Sequence, residues 1–352
     1  MNLFDPLPLR GVTLRNRIGV SPMCEYSAID GVPQAWHLVH LGSRAVGGAG
    51  LVIAEASAVE PRGRISPGDT GLWNDAQAEA WAPIARFVRG QGAIAGIQLA
   101  HAGRKAGVDV PWRGGAVLDA ASGGWQPLAP SALAYSPQQA PPAVLDEAGI
   151  RAVVDAFAAS ARRALDAGFD LVEVHAAHGY LLHEFLSPLA NRRDDAWGGC
   201  FENRIRLTRD VVAAVRAVWP ERLPLFVRIS ATDWVDGGWD VDQSVELARV
   251  LKGQGVDLVD VSSGGLVADQ RISAGPGYQV PFAARIRAGA GIATAAVGLV
   301  TEAAQAQAIV AAGHADLVLA GREFLRDPYW PRRVARELGV EIAVPDPYRR
   351  AW

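Results

Sequence analysis

Eight β-rich runs, each followed by a stretch of helical or loop character, constrain this chain more than any other feature. They are RIGVSP around Ile18, GLVIAEA from Gly50, IAGIQLA from Ile94, LVEVHAA from Leu171, LPLFVRIS from Leu223, LVDVSS from Leu258, GIATAAVG from Gly291 and LVLAGRE from Leu317. Strands this continuously apolar must be covered on both faces, which a parallel sheet with crossover helices achieves. Between them, Trp81, Ile84, Ala85 and Val88 share one helical face. So do Ile150, Val154, Phe157, Ala161 and Leu165, ahead of a C-capping Gly168. Eight such units in 352 residues predict an α/β fold, a closed (β/α)8 TIM barrel, over an open doubly wound sheet. No G-x-G-x-x-G fingerprint opens the first unit, which argues the same way.

Residues 1–352 read as a single domain with an N-terminal cap and two departures from the repeat. A Gly-, Pro- and Ser-rich excursion, residues 104–142, separates strands three and four and is too long for an ordinary βα connection. It is expected to cover the barrel mouth. The tail, residues 339–352, ends in aromatic and cationic residues and is expected to dock on something. A net charge of −3 and the lack of Lys/Arg runs argue against nucleic acid or a membrane surface as partner. No apolar run approaches the ~20 residues of a membrane span, and MNLFDPLPLR is no signal peptide, so a cytoplasmic location is expected. Only Cys24 and Cys200 are present, too few for a disulfide scaffold, a four-cysteine zinc site or a cysteine-ligated iron–sulfur cluster. Redox chemistry would therefore need an organic cofactor.

Barrel enzymes carry their chemistry at the C-terminal ends of the strands. Alternation in LPLFVRIS turns Phe226, Arg228 and Ser230 inward if Leu225, Val227 and Ile229 meet the helices. An inward guanidinium needs an anion or partial negative charge, either a ligand's or an internal carboxylate such as Glu173. Gln98, on the small-residue face of IAGIQLA, suits the edge of a heterocycle or a backbone partner in the core. Gly298 after strand seven, with Gly321 and Arg322 after strand eight, matches the phosphate cradle usual to this fold. Together these features fit flavin mononucleotide (FMN).

EVHAAHGYLLHEFLSP, from Glu173, concentrates three histidines. H-A-A-H has neither the spacing nor the glutamate of a zinc protease helix. No metal is expected, and the alternative is a barrel hydrolase that also recruits His37, His40 or His101. His183 and Glu184 are expected to point away from the core, in a structural or capping role. His175 and His178 at the mouth offer two N–H donors to one oxygen, and Tyr180 can donate a proton.

The chain resembles the old yellow enzyme family of FMN-dependent ene-reductases, in its thermophilic-like branch. The likeness is carried, in family order, by LFDPLPLRGVTLRNRI, SPMCEYS, EASAVEPRGRI, IQLAHAGRKA, EVHAAHGYLLHEFLSP, ENR, LFVRIS, GPGYQV and LAGREFLRDP. The resemblance implies FMN held by Ser21, Pro22, Met23, Cys24, Ala58, Gln98, Arg228, Gly321 and Arg322. Cys24 would tune the flavin, and Lys105 would lie near it. It also implies a substrate gripped by His175 and His178, with Tyr26 a further contact. NADPH or NADH would reduce the flavin; an enone, enal, maleimide or nitroalkene would then be reduced, with Tyr180 as proton donor. A homodimer or dimer-based oligomer is implied, Arg350 or Arg349 of the tail reaching the neighbouring site. WGGC, with Trp197 and Cys200, stands where the family usually has YGGS.

Overall fold

The computed structural model describes residues 1–351. The chain opens with an antiparallel hairpin, β1 (Leu7–Leu9) and β2 (Val12–Leu14). Three barrel strands follow: β3 (Ile18–Val20), β4 (Leu51–Ala58) and β5 (Ile94–Ala100). Two-residue strands β6 (Leu128–Ala129) and β7 (Ala143–Val144) pair with each other. The barrel resumes with β8 (Leu171–Ala176), β9 (Leu225–Ser230), β10 (Leu258–Ser262), β11 (Ala293–Ala296) and β12 (Leu317–Ala320). All eight barrel strands are parallel, and β12 closes on β3. Each run singled out in the sequence falls on one of them, β4 continuing two residues beyond its run.

The helices are α1 (Ala35–Val46), α2 (Asp75–Gly90), α3 (Glu147–Asp166), α4 (Leu181–Leu186), α5 (Phe201–Arg204) and α6 (Arg206–Val218). Then come α7 (Val241–Gly253), α8 (Val280–Ala290), α9 (Ala303–Ala311), α10 (Arg322–Arg326) and α11 (Trp330–Glu337). α2 starts at Asn74, whose side chain accepts from the Gln77 N–H, and it buries the expected stripe Trp81, Ile84, Ala85 and Val88. On α3 the buried stripe is rotated slightly: Ile150, Phe157 and Ala161 are buried, but Val153 and Ala164 lie deeper than Val154 and Leu165. The helix stops before Gly168, whose φ of +84° is open to glycine.

Two cores result. Outward strand residues such as Val52, Ile97, Val172, Val227 and Val259 pack against the helices. Inside the barrel, Leu51, Ile53, Leu171, Phe226, Leu258, Leu317 and Leu319 fill the N-terminal half. Leu7, Leu9 and Leu14 of the hairpin join this layer, so the N-terminal cap plugs the bottom of the barrel. Polar residues are thereby left to the other end.

The excursion is bolted over that end. The Arg104 guanidinium donates to the Leu266 carbonyl at 2.7 Å, and Lys105 Nζ donates to the His178 and Gly265 carbonyls at 2.9 and 3.0 Å. Farther out, the Arg64 guanidinium lies between the Trp73 and Trp125 rings, 5.4 and 4.9 Å from their centroids. The tail follows α11: Arg332 donates to the Ala343 carbonyl, and Val344 and Ala351 line one cleft with Ala335 and Arg336. Among the described residues, no helix is long and apolar enough to cross a membrane.

Candidate active site

Above the leucine layer the barrel interior turns polar, because the same alternation that points Leu171, Phe226 and Leu258 inward brings in the residue two positions on. These are Glu173, Arg228 and Asp260; Gln98 lies beside Glu173 in the strand register. All four are buried. Gln98 Nε2 donates to Glu173 Oε1 at 2.8 Å. The ion-pair partner of Arg228 is Asp260, 3.0 Å away, and not Glu173, the internal carboxylate the sequence offered as an alternative to a ligand's anion. Asp260 was overlooked, although alternation in LVDVS turns it inward by the rule that found Arg228. Burial drives both carboxyls above their ordinary range, Asp260 adding to the rise at Glu173, while Arg228 opposes the shift at both.

One layer higher, His175 ends the inward row of β8, and His178 follows with φ at +59°. The His178 N–H donates to Ser230 Oγ at 2.9 Å, and Gly179 beside it has φ of +73°. A Cβ on Gly179 would run into the Gly265 backbone, so the loop after β10 presses this turn into place. The two imidazoles meet edge to face at 5.2 Å, and the Tyr180 ring stands edge-on to His175 at 5.1 Å. Burial, then the nearby Arg228 charge, pushes both imidazoles well below their ordinary value, which keeps them neutral. The Tyr180 phenol is pushed up, chiefly by burial. Lys105 holds its ammonium 5.2 Å from the Tyr180 ring centroid, and burial lowers it to about 8.

His183 and Glu184 do not point away from the core: both are fully buried. His183 Nδ1 accepts the Gly179 N–H at 2.9 Å, and its Nε2 lies 2.8 Å from Asp233 Oδ1. Glu184 Oε1 accepts the Arg104 N–H at 2.8 Å. These partners come from the turn before α4, the loop after β9 and the excursion. No local pattern on a six-residue helix reports them.

The loop after β3 supplies Ser21, Pro22, Met23, Cys24 and Tyr26. The Ser21 N–H donates to the Ala320 carbonyl at 2.9 Å, which ties the loop to the end of β12. Cys24 is half-buried, and desolvation raises its thiol. Tyr26 has φ of +47° and meets Trp112 of the excursion edge-on at 5.9 Å. Beneath this loop Glu55 Oε2 accepts the Glu25 N–H at 3.2 Å, and His37 Nε2 lies 3.1 Å from Glu55 Oε1. Ala58 is buried at the end of β4. His37, His40 and His101 each lie against a carboxylate, Glu55, Glu25 and Glu60 respectively. Among the described residues, no group of three or more His, Cys, Asp or Glu is placed to hold a metal.

At the ends of β11 and β12, a cleft of about 240 Å3 is lined by Gly298, Leu299, Val300 and Thr301 on one side and Gly321, Arg322 and Arg326 on the other. Gly298 has φ of +122°, and a Cβ there would sit 2.8 Å from Gln279 Nε2. Ser262, below His178, also faces this cleft. Arg350 lies elsewhere, exposed on the final turn Asp346–Ala351. No hydrogen bond or ion pair among the described residues joins it to the histidine pair.

The sequence profile of the NADH:flavin oxidoreductase / NADH oxidase family matches residues 2–341. The chain is 50% identical over 352 residues to an NADPH dehydrogenase of Bacillus pumilus, covering 99% of each protein. It is 47% identical over 353 residues to one of Bacillus subtilis, again covering 99% of each. Among solved structures, morphinone reductase superposes with a TM-score of 0.80 at 30% identity, covering 98% of this chain and 92% of that one. An old yellow enzyme homologue from Zymomonas mobilis gives 0.78 at 30% identity, over 98% and 95%.

Proposed function

Because the chain belongs to the NADH:flavin oxidoreductase / NADH oxidase family, whose members work with FMN and a nicotinamide nucleotide, we propose that it is an NADPH dehydrogenase that reduces activated C=C bonds. Its substrates are α,β-unsaturated aldehydes, ketones and nitro compounds. The observation that carries the reading is the meeting of His175, His178 and Tyr180 directly above the layer of Gln98 and Arg228.

The residues present fit FMN. Arg228 turns its Nε to Asp260 Oδ2, 3.0 Å away, while no hydrogen bond among the described residues holds its terminal nitrogens, and these can meet the electron-rich edge of a flavin. Gln98 spends an N–H on Glu173 and keeps its amide oxygen for that edge. Gly298, Gly321 and Arg322 supply a cradle for a phosphate dianion, and Ser21, Pro22, Met23, Cys24 and Ala58 wall the remaining side. When bound, FMN supplies the hydride acceptor for NADPH or NADH and the hydride donor for the alkene.

The chain's part is to bind and polarise the substrate and to deliver a proton. His175 Nδ1 accepts the Ala177 N–H at 3.2 Å, so its proton sits on Nε2. Ser262 Oγ lies 2.7 Å from His178 Nε2 and 3.4 Å from Gln279 Oε1. A hydroxyl proton on the shorter contact leaves His178 protonated at Nδ1. Two neutral N–H donors then hold one carbonyl or nitro oxygen and draw electron density toward it, which makes Cβ electrophilic. Tyr180, whose raised phenol keeps its proton, protonates Cα. Tyr26 forms a side wall, and Arg350 is assigned to the neighbouring subunit's substrate in a dimer-based assembly.

Phenols mimic the polarised oxygen and test the pair. His175→Ala and His178→Ala should retain FMN, bind p-hydroxybenzaldehyde more weakly in a spectral titration, and slow enone reduction. Unchanged phenol affinity in both variants would sink the assignment.

A further inference from the structure

Beneath the histidines, two buried carboxyls, on β8 and β10, flank one guanidinium on the strand between them. Glu173 and Asp260 are each 0% exposed, and Arg228 is 5% exposed. Arg228 Nε approaches Asp260 Oδ2 at 3.0 Å. Glu173 Oε1 accepts from Gln98, but Glu173 Oε2 and both Asp260 oxygens have no hydrogen-bond partner among the described residues. The leucine layer closes the space below. The inward residues of β4, β11 and β12 nearest the group, Ala56, Ala295 and Leu319, carry no charge. Above stand His175 and His178, both neutral, with Ser230 and Ser262; Lys105 is the next cation. Two ionised carboxylates against one guanidinium would leave a net negative charge in the interior, where burial strongly disfavours an uncompensated ion. Retaining one proton between them removes it.

We infer that Glu173 and Asp260 form a proton-holding pair around Arg228 that takes up a further proton when the flavin above is reduced. The inference rests on FMN lying over Gln98 and Arg228. Reduction would add negative charge beside Arg228, so the guanidinium would be shared with a second anion and the carboxylate still ionised gains proton affinity. The balance is simple. NADPH or NADH gives up one hydride and leaves oxidised, the hydrogen and both of its electrons pass to the flavin, and one carboxylate oxygen of the pair binds one separate H⁺ from solvent. Nothing is oxidised or reduced at the pair itself. Glu173 and Asp260 are thus positioning residues that tune the flavin's potential through Arg228. The raised carboxyls agree with the shared proton and place its loss on the alkaline side of their ordinary range.

The test is the pH dependence of the midpoint potential of the FMN-loaded enzyme, with Glu173→Gln and Asp260→Asn for comparison. The wild-type potential should fall more steeply with pH than that of Glu173→Gln over a window above the ordinary carboxylate range, where the second carboxyl of the pair is ionised before reduction. The excess should be one proton per two electrons, a tenfold change in equilibrium constant per pH unit, or about 30 mV. Reduced-minus-oxidised infrared spectra should show a carboxylic C=O band that shifts in D2O and is missing from Glu173→Gln. Should either variant fail to fold, proton uptake by the wild type, read with a pH dye during reduction, decides the matter: uptake beyond that of free FMN supports the pair, and equal uptake overturns it. Coincident slopes with no carboxyl band would also overturn it. Arg228→Lys separates the two claims. An unmoved potential and FMN affinity in that variant refutes the flavin placement, whereas a moved potential with coincident slopes refutes the pair alone.

Discussion

Tyr180 ends the turn that carries His178 and is the residue before α4, so one short segment carries both the proposed oxygen grip and the proposed acid. A general acid contributes about 10²–10⁴-fold. Tyr180→Phe should therefore leave flavin reduction by NADPH near the wild-type rate and slow alkene reduction by about 10²-fold or more, measured as separate half-reactions in stopped flow. Equal slowing of both would show that the hydroxyl serves the cofactor instead. At this scale, the inward direction of Arg228 and Gln98 was readable from period-2 alternation alone. Asp260 was equally readable. The burial of His183 was not, because it depends on Asp233, fifty residues along the chain and in the loop after another strand.

α1 packs its buried face on the loop that carries Cys24 and Tyr26, and its histidines set a pH limit on that element. His40 Nε2 lies 3.4 Å from Glu25 Oε1, yet burial and the neighbouring Arg44 and His37 lower its imidazole to about 3, so the contact is that of a neutral ring. An unfolded histidine takes its proton near pH 6.5. Between those values the unfolded chain binds more protons than the native one, so this contribution is intact above about pH 6.5 and is lost as pH falls toward about 3. His40→Gln should lose less stability than wild type between neutrality and mild acid, measured as urea midpoints. Parallel curves would contradict the neutral assignment. The barrel strands were legible because apolar runs recur between helical stretches, even where the strand itself is as short as β3, and α2 and most of α3 because their periodicity is sustained. The three-residue hairpin strands and the turns inside the excursion are too short for periodicity, and their form is imposed by what they cover.

For the whole molecule, the division of the barrel into an apolar bottom and a polar top is what places the chemistry. Phe226 is fully buried in the bottom layer among Leu7, Leu171 and Leu258. Phe226→Ala should cost about 3–5 kcal/mol in reversible unfolding, and a loss below about 1 kcal/mol would mean that the layer collapses around the gap. Assembly is tested by the tail: Arg350→Ala should raise the KM for enones with FMN content unchanged, and sedimentation should show a dimer or larger species. A monomer at assay concentration would rule out a residue shared between sites. The fold was legible from the strand repeat. A dimer-based assembly was implied only by the family resemblance, since a tail's partner leaves no periodicity in its sequence. The most direct test of the central claim is an anaerobic single turnover. The yellow enzyme should be bleached by NADPH and regain its oxidised spectrum on addition of one equivalent of cyclohexenone, with cyclohexanone formed. A protein without flavin absorption, or one that stays bleached with every enone, enal and nitroalkene offered, would contradict it.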